Sequence, residues 1–215
     1  MNILFPLLIL FSAALLFLLA ALYFLLLLPR FRSPDCSALM GYFYAHRGFH
    51  NLEEGIPENS MKAFRLAVEK GYGIELDVQL SADGIPVVFH DNTLTRMCGV
   101  DRHVRELTLS ELKELSLGGT EERIPTFQEF LEMVDGRVPL IVEIKMEKWD
   151  ARIPAAANEL LKEYKGPYCI ESFHPGALVW YRKHRPDVFR GQLCTNFNKE
   201  HMNHSLPYFL LGKML

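Results

Sequence analysis

The hydrophobic pattern divides the chain sharply. Ile3 to Leu28 is almost wholly apolar and uncharged, longer than the roughly 20 residues that cross a bilayer as a helix. A cleaved signal peptide would open with Lys or Arg, carry a shorter apolar core and end in small residues. This segment opens "MN" and ends "LLLLPRFR", so residues 1–30 read as a retained single-pass anchor in the cell membrane. Arg30 and Arg32 follow the span, and the positive-inside tendency puts the domain after it on the cytoplasmic side. Residues 31–41, "FRSPDCSALMG", read as a short polar linker.

From residue 42 onward apolar runs alternate with amphipathic ones. Phe43–Ala45 reads as a strand running into "HRG". "PENSMKAFRLAVEKG" reads as a helix capped by Asn59 or Ser60 and stopped by Gly71. "GIELDVQL" and "PVVFHD" read as strands joined by the turn "SADG". "TLSELKELSLGG" and "TFQEFLEMV" read as helices, and "PLIVEIK" as a buried strand. The rest reads as helix "ARIPAAANELLKEY" with Pro154 in its first turn, strand "YCIESF", helix "PGALVWYRKH" and strand "FRGQL". Such alternation predicts an α/β fold, a parallel sheet covered by helices. About six strands are counted, where a closed (β/α) barrel needs eight in about 250 residues. The sheet is therefore open, or a barrel lacks its last two units.

The polar residues sit where an apolar strand should not have them. Glu75 and Asp77 are two apart and so share one face of a strand. Two buried carboxylates side by side cost several kcal/mol unless a cation lies between them. His46-Arg47 follows the first strand, His90 the third, and Glu143 and Lys145 lie in the fourth; Ser172 and His174 end the fifth. In a parallel barrel these ends meet at one face. Oxygen ligands from Glu75, Asp77 and Glu143 favour a hard cation, Mg²⁺ or Ca²⁺. Arg47 and Lys145 suit a phosphate, and His46 and His90 suit acid and base roles across a phosphodiester. Taken singly, Glu75-x-Asp77 also fits an edge strand with one solvated face, and Glu143-x-Lys145 a simple ion pair. His50, His103, His174, His201 and His204 read as surface or structural. Asp91 reads as a turn cap or as an orienting partner for a histidine.

Composition changes the picture little. A net charge of −3 gives no reason to expect nucleic acid as a partner. Four cysteines without a CxxC pair fit a reducing compartment and no zinc site.

"AHRG", "PENS", "GIELDVQLSADGIPVVFHDNTLTR" and "VEIK", with "TLSELKELSLG", "IPTFQEFLE", "ESFHP" and "RGQL" after them, together resemble the glycerophosphodiester phosphodiesterase family, in a membrane-anchored, bacterial-type form, from Phe43 to Leu193. Ser60 stands where the family often has Thr. The resemblance implies a TIM-type (β/α) barrel over residues 42–215 with one divalent cation, Mg²⁺ or Ca²⁺, on Glu75, Asp77 and Glu143. It implies His46 and His90 as the acid–base pair and Arg47 and Lys145 on phosphate. Glu58 and Asn59 would support the first loop, with Asn59 reaching the site. Glycerophosphodiesters would be split into glycerol 3-phosphate and an alcohol such as choline or ethanolamine. After "RGQL" the family normally supplies two more strands, the last near a "WTVN"-like stretch; here "SLPYFLLGKML" reads as the helix before strand seven. The expectation is a truncated gene product or fragment or, if the length is native, a barrel whose gap is closed by a partner chain or by self-association. Two further readings stand beside hydrolysis of water-soluble diesters: phospholipase D-like cleavage of lysophospholipids on the same fold, and an inactive membrane-anchored remnant.

Overall fold

The structure, a computed structural model, describes residues 4–27 and 34–194. The chain forms two compact units, Met1–Ser33 and Pro34–Leu215. The first is helix α1, Leu4–Leu27. Its window Pro6–Tyr23 has mean hydropathy 2.4 and no residue buried, enough in length and composition to cross a membrane. The Ser12 hydroxyl is satisfied within the helix, Oγ donating to Leu8 O at 2.9 Å, as a lipid-facing helix requires. Arg30 and Arg32 lie outside the described residues, as do the expected helix "SLPYFLLGKML", His201 and His204.

The second unit runs β1 (Tyr44–His46), α2 (Met61–Glu69), β2 (Gly73–Leu80), β3 (Pro86–Val88), α3 (Thr95–Cys98), α4 (Leu109–Lys113), α5 (Phe127–Val134), β4 (Leu140–Ile144), α6 (Arg152–Leu161), β5 (Tyr168–Ser172), α7 (Pro175–His184) and β6 (Phe189–Gln192). Strands β1-β2-β4-β5-β6 pair in that order, all parallel. The expected parallel strand at "PVVFHD" needs correction. β3 pairs antiparallel with β2, Val78 opposite Val88, which leaves five parallel strands among the described residues. The physical reason is the connection. "SADG" is far shorter than the dozen or so residues a parallel crossover needs. It closes as a tight turn, with Ser81 N–H donating to Ile85 O at 3.0 Å and Gly84 at φ +80°.

The strand period of two sorts the side chains. Ile74, Leu76 and Val78 of β2 are fully buried and share one core with Leu140, Val142 and Ile144 of β4 and with Phe64, Phe127 and Phe130 of the covering helices. The alternate positions of β2 carry Glu75, Asp77 and Gln79 on the opposite face. A second core gathers Val87, Phe89, Leu94, Val104, Leu112 and Ile124 beneath the excursion between β3 and α5. Helix starts follow the expected chemistry. Ser60, rather than Asn59, caps α2 by accepting from Ala63 N–H, and Thr108 and Thr126 form reciprocal capping boxes with Glu111 and Glu129.

Candidate active site

The parallel register builds the site. His46 lies opposite Glu75, Asp77 opposite Glu143, and Glu143 opposite Glu171. Ligand-type oxygens of Glu75, Asp77 and Glu143 all lie within 4.8 Å of one another, and all three residues are buried. Burial first, then the neighbouring Asp77 charge, pushes Glu75 up to about 8. Burial likewise pushes Glu143 up to about 7 against the pull of Lys145. Lys145 Nζ lies 3.0 Å from Asp77 Oδ1 and 2.8 Å from Glu143 Oε2. Asp77 Oδ1 accepts no hydrogen bond of good geometry and meets that ammonium alone. The set is all carboxylate oxygen, packed close, and burial favours the protonated forms of Glu75 and Glu143. These residues fit a hard divalent ion.

The loop after β1 is folded against this cluster by unusual backbone. Arg47 and Asn59 both adopt positive φ, +55° and +53°, with Gly48 between them at +83°; such conformations cost non-glycine residues free energy and gather at functional sites. They are held by reciprocal contacts. Asn59 N–H donates to Arg47 O at 2.9 Å, Arg47 N–H to Glu75 Oε2 at 3.0 Å, and Asn59 Nδ2 to Asp77 Oδ2 at 2.8 Å. Gly48 is required as well as favoured, because a Cβ there would lie 2.9 Å from Ala63 Cβ. Arg47 Nε is buried with no hydrogen-bond partner and lies 3.7 Å from Asp77 Oδ2, so the guanidinium sits at the edge of the carboxylate cluster. His46 Nε2 lies 3.8 Å from Glu75 Oε2; desolvation and then the Arg47 charge lower its pKa below the ordinary imidazole value, with Asp77 pulling the other way. His90 is held through Nδ1 by Asp91 at 2.6 Å. Gln79 fixes that segment by donating to the carbonyls of Phe89, His90 and Asp91 at 2.7, 3.2 and 2.8 Å.

A profile of the glycerophosphoryl diester phosphodiesterase family matches residues 46–209. The chain belongs to this family. It is 39% identical over 161 residues to a glycerophosphodiester phosphodiesterase of Caldanaerobacter subterraneus subsp. tengcongensis, covering 69% of this chain and 65% of the relative. It is 36% identical over 162 residues to that of Bacillus altitudinis, covering 69% and 64%. The chain thus spans just under two thirds of those relatives. Among solved structures, a phosphodiesterase of Oleispira antarctica in complex with the product sn-glycerol-3-phosphate superposes with a TM-score of 0.67 at 32% identity, over 74% of this chain and 68% of that one. A Thermotoga maritima glycerophosphodiester phosphodiesterase superposes at 0.60 with 32% identity, over 80% and 68%. The expected α/β, TIM-type architecture is borne out by these likenesses.

Within this phosphodiesterase fold the structure brings Arg47, Asn59, Glu75, Asp77, Glu143 and Lys145 together, with His46 3.8 Å from Glu75 and Phe89, the neighbour of His90, bonded to Asp77 O at 3.0 Å. Two residues expected at the strand ends are structural. Ser172 Oγ is buried and donates to Ile144 O at 2.7 Å, and His174 Nδ1 accepts Gly176 N–H at 3.0 Å to cap α7. The residue of β5 that shares the Asp77–Glu143 register is Glu171, which sequence reasoning passed over. Burial and the Asp77 charge raise its pKa, with Lys145 opposing. Its signal was the period of two: Ile170 packs in the core, so its neighbour faces the other way.

Proposed function

We propose that the chain hydrolyses glycerophosphodiesters to glycerol 3-phosphate and an alcohol. The observation that carries this reading is the buried Glu75–Asp77–Glu143 cluster beside an arginine whose buried Nε makes no hydrogen bond and lies 3.7 Å from Asp77. Together they offer a cation niche and an anion hook within one site. A Mg²⁺ or Ca²⁺ ion held by Glu75, Asp77 and Glu143 would neutralise phosphate oxygens and the charge that develops on them. Arg47 binds a phosphate oxygen through its planar fork and Lys145 through a point charge; Asn59 keeps Asp77 aligned and borders the same space.

His46 and His90 divide the proton work. The lowered pKa of His46 favours its neutral ring, ready to take a proton from the attacking water as the new P–O bond forms. His90, gripped at Nδ1 by Asp91, presents Nε2 and delivers a proton to the departing alkoxide as the P–O bond breaks. The proton gained on one side equals that given on the other, so the pair resets by exchange with water.

The span Pro6–Tyr23 supports a membrane-held enzyme, and Arg30 and Arg32 support a cytoplasmic domain. β1 and β6 are the outer strands of the sheet among the described residues, and pairing of a second copy along these edges is the assembly we propose. Light scattering that finds only monomers would remove it.

The test of activity is release of glycerol 3-phosphate from glycerophosphocholine by the full chain in detergent, with Mg²⁺ or Ca²⁺ and then with EDTA. Metal-dependent release supports the reading; none, with a folded protein, refutes it. A lysophospholipid offered in parallel separates acyl-bearing from water-soluble diesters.

A further inference from the structure

Resting on that hydrolase reading, we propose that Arg96 is a positioning residue that ties the phosphate-holding Arg47 to the acid–base group His90, through Glu58 on one side and Asp91 on the other. Its guanidinium is forked twice. Toward Glu58, Nη2 donates to Oε1 at 2.6 Å and Nη1 to Oε2 at 3.0 Å. Toward Asp91, Nε donates to Oδ2 at 2.6 Å and Nη2 to Oδ1 at 3.0 Å. The same carboxylates then reach the site. Glu58 Oε1 also accepts from Arg47 Nη1 at 2.9 Å, and Asp91 Oδ1 lies 2.6 Å from His90 Nδ1. Arg47, Glu58, Arg96, Asp91 and His90 thus form one line of alternating charge. Two of its oxygens, Glu58 Oε1 and Asp91 Oδ1, each serve the joint and a site residue at once.

This differs from a surface ion pair of small worth. The Arg96 side chain is 48% exposed, but its partners Glu58 and Asp91 are only 14% and 22% exposed. Burial alone would raise both acids; the hydrogen bonds from Arg96, with Arg47 helping at Glu58 and His90 at Asp91, hold them below the ordinary carboxylate range. Glu58 and Arg96 are 38 positions apart, so the fork joins the loop after β1 to the segment after β3. β1 and β3 each pair with β2 and not with one another, so no strand pairing links the two loops directly. Lysine cannot replace this joint, because one nitrogen cannot satisfy two carboxylate edges set at an angle. Without Arg96, Arg47 keeps Glu58 but loses what fixes Glu58. His90 likewise keeps Asp91 but loses what fixes its ring plane. A group that touches neither substrate nor the breaking bond would then act on both binding and turnover, since small misplacements of reacting groups cost large factors in rate.

The experiment measures kcat and KM for glycerophosphocholine with the full chain at saturating Mg²⁺, and thermal unfolding alongside. Arg96→Gln and Arg96→Lys are expected to lower kcat roughly tenfold or more and to raise KM severalfold, whereas Asp91→Asn lowers kcat and leaves KM near that of the wild type. Guanidinium ion at low millimolar concentration is expected to restore activity to Arg96→Gly. Arg96→Gln with both constants within twofold of wild type overturns the proposal. So does a folded Arg96→Gly that ignores guanidinium. Nitrogen NMR of the His90 ring gives a readout free of catalysis: its Nδ1 signal is expected to move in Arg96→Gln, and an unmoved signal again overturns the joint. If the wild type releases no glycerol 3-phosphate, the hydrolase reading falls, and this NMR comparison still decides the network.

Discussion

Replacing Glu75 with Gln tests the electrostatics of the cation niche most directly. Glu75 is 7% exposed, and burial with Asp77 beside it raises its pKa from 4.5 to about 8. The folded chain therefore keeps a proton that the unfolded chain has released. Stability from this group is present in full below pH 4.5 and is lost as pH rises toward 8. At about 1.4 kcal/mol per pKa unit, metal-free folding loses on the order of 5 kcal/mol from Glu75 between those limits. For a domain of this size that is roughly 10 °C in Tm. The assay is thermal unfolding of wild type and Glu75→Gln in EDTA from pH 5 to 8. The two should unfold together at pH 5, and the variant should unfold markedly higher at pH 8. The shift of His46 acts in the opposite sense below pH 6.5 but is common to both chains and cancels in the difference. Adding Mg²⁺ or Ca²⁺ should recover roughly half of the wild-type loss, about 2.7 kcal/mol at a hundred times Kd, and do little for the variant. A Tm difference that stays constant across this range would refute the placement of Glu75 and Asp77 side by side in one buried niche.

Two other substitutions probe separate parts of the site. His46→Ala and His90→Ala should each lower kcat by about 10²-fold or more while leaving Mg²⁺ affinity, read by calorimetry, unchanged; a matched loss of metal binding would make them structural instead. Gly48→Ala forces a Cβ to 2.9 Å from Ala63 Cβ and 3.0 Å from the Ala63 backbone at φ +83°. It should cost roughly 2–4 kcal/mol in denaturant unfolding and displace Arg47; a variant as stable as wild type would mean that the loop is not pinned where it lies.

What could be read from the sequence is what depends on the local period. Glu75 and Asp77 share a face because strands alternate, and Glu143 joins them because an apolar strand with one acid must turn that acid away from the helices. The direction of β3 was equally local, since "SADG" is too short for a crossover, yet a count of strands hid it. What could not be read depends on register and on loops meeting. Glu171 joins the Asp77–Glu143 level only once Val142 is known to pair with Ile170. Ser172 and His174 sit at the expected strand end, but one turns to Ile144 O and the other to the start of α7. Arg96 belongs to a motif by sequence, but its partner Glu58 is 38 positions away in a loop with no periodic signal.

The carboxylates of the site fall into two electrostatic kinds, and the division assigns their work. Glu58 and Asp91 are held below the ordinary range by guanidinium hydrogen bonds. They are charged at any working pH and serve to orient cations already in the chain. Glu75, Glu143 and Glu171 are pushed above it by burial. Burial favours their neutral forms, and an external cation held by Glu75 and Glu143 would repay the desolvation of the charged forms and so release protons, as metal binding coupled to proton release requires. Lys145 stands between the kinds. It is close enough to Asp77 and Glu143 to neutralise part of their charge, yet its single ammonium cannot bond all the oxygens of three carboxylates. Metal binding at pH 7 must therefore release about one proton per chain, measurable as a buffer-dependent heat. Heat independent of the buffer would place the protons elsewhere and make Lys145 a sufficient counter-ion by itself.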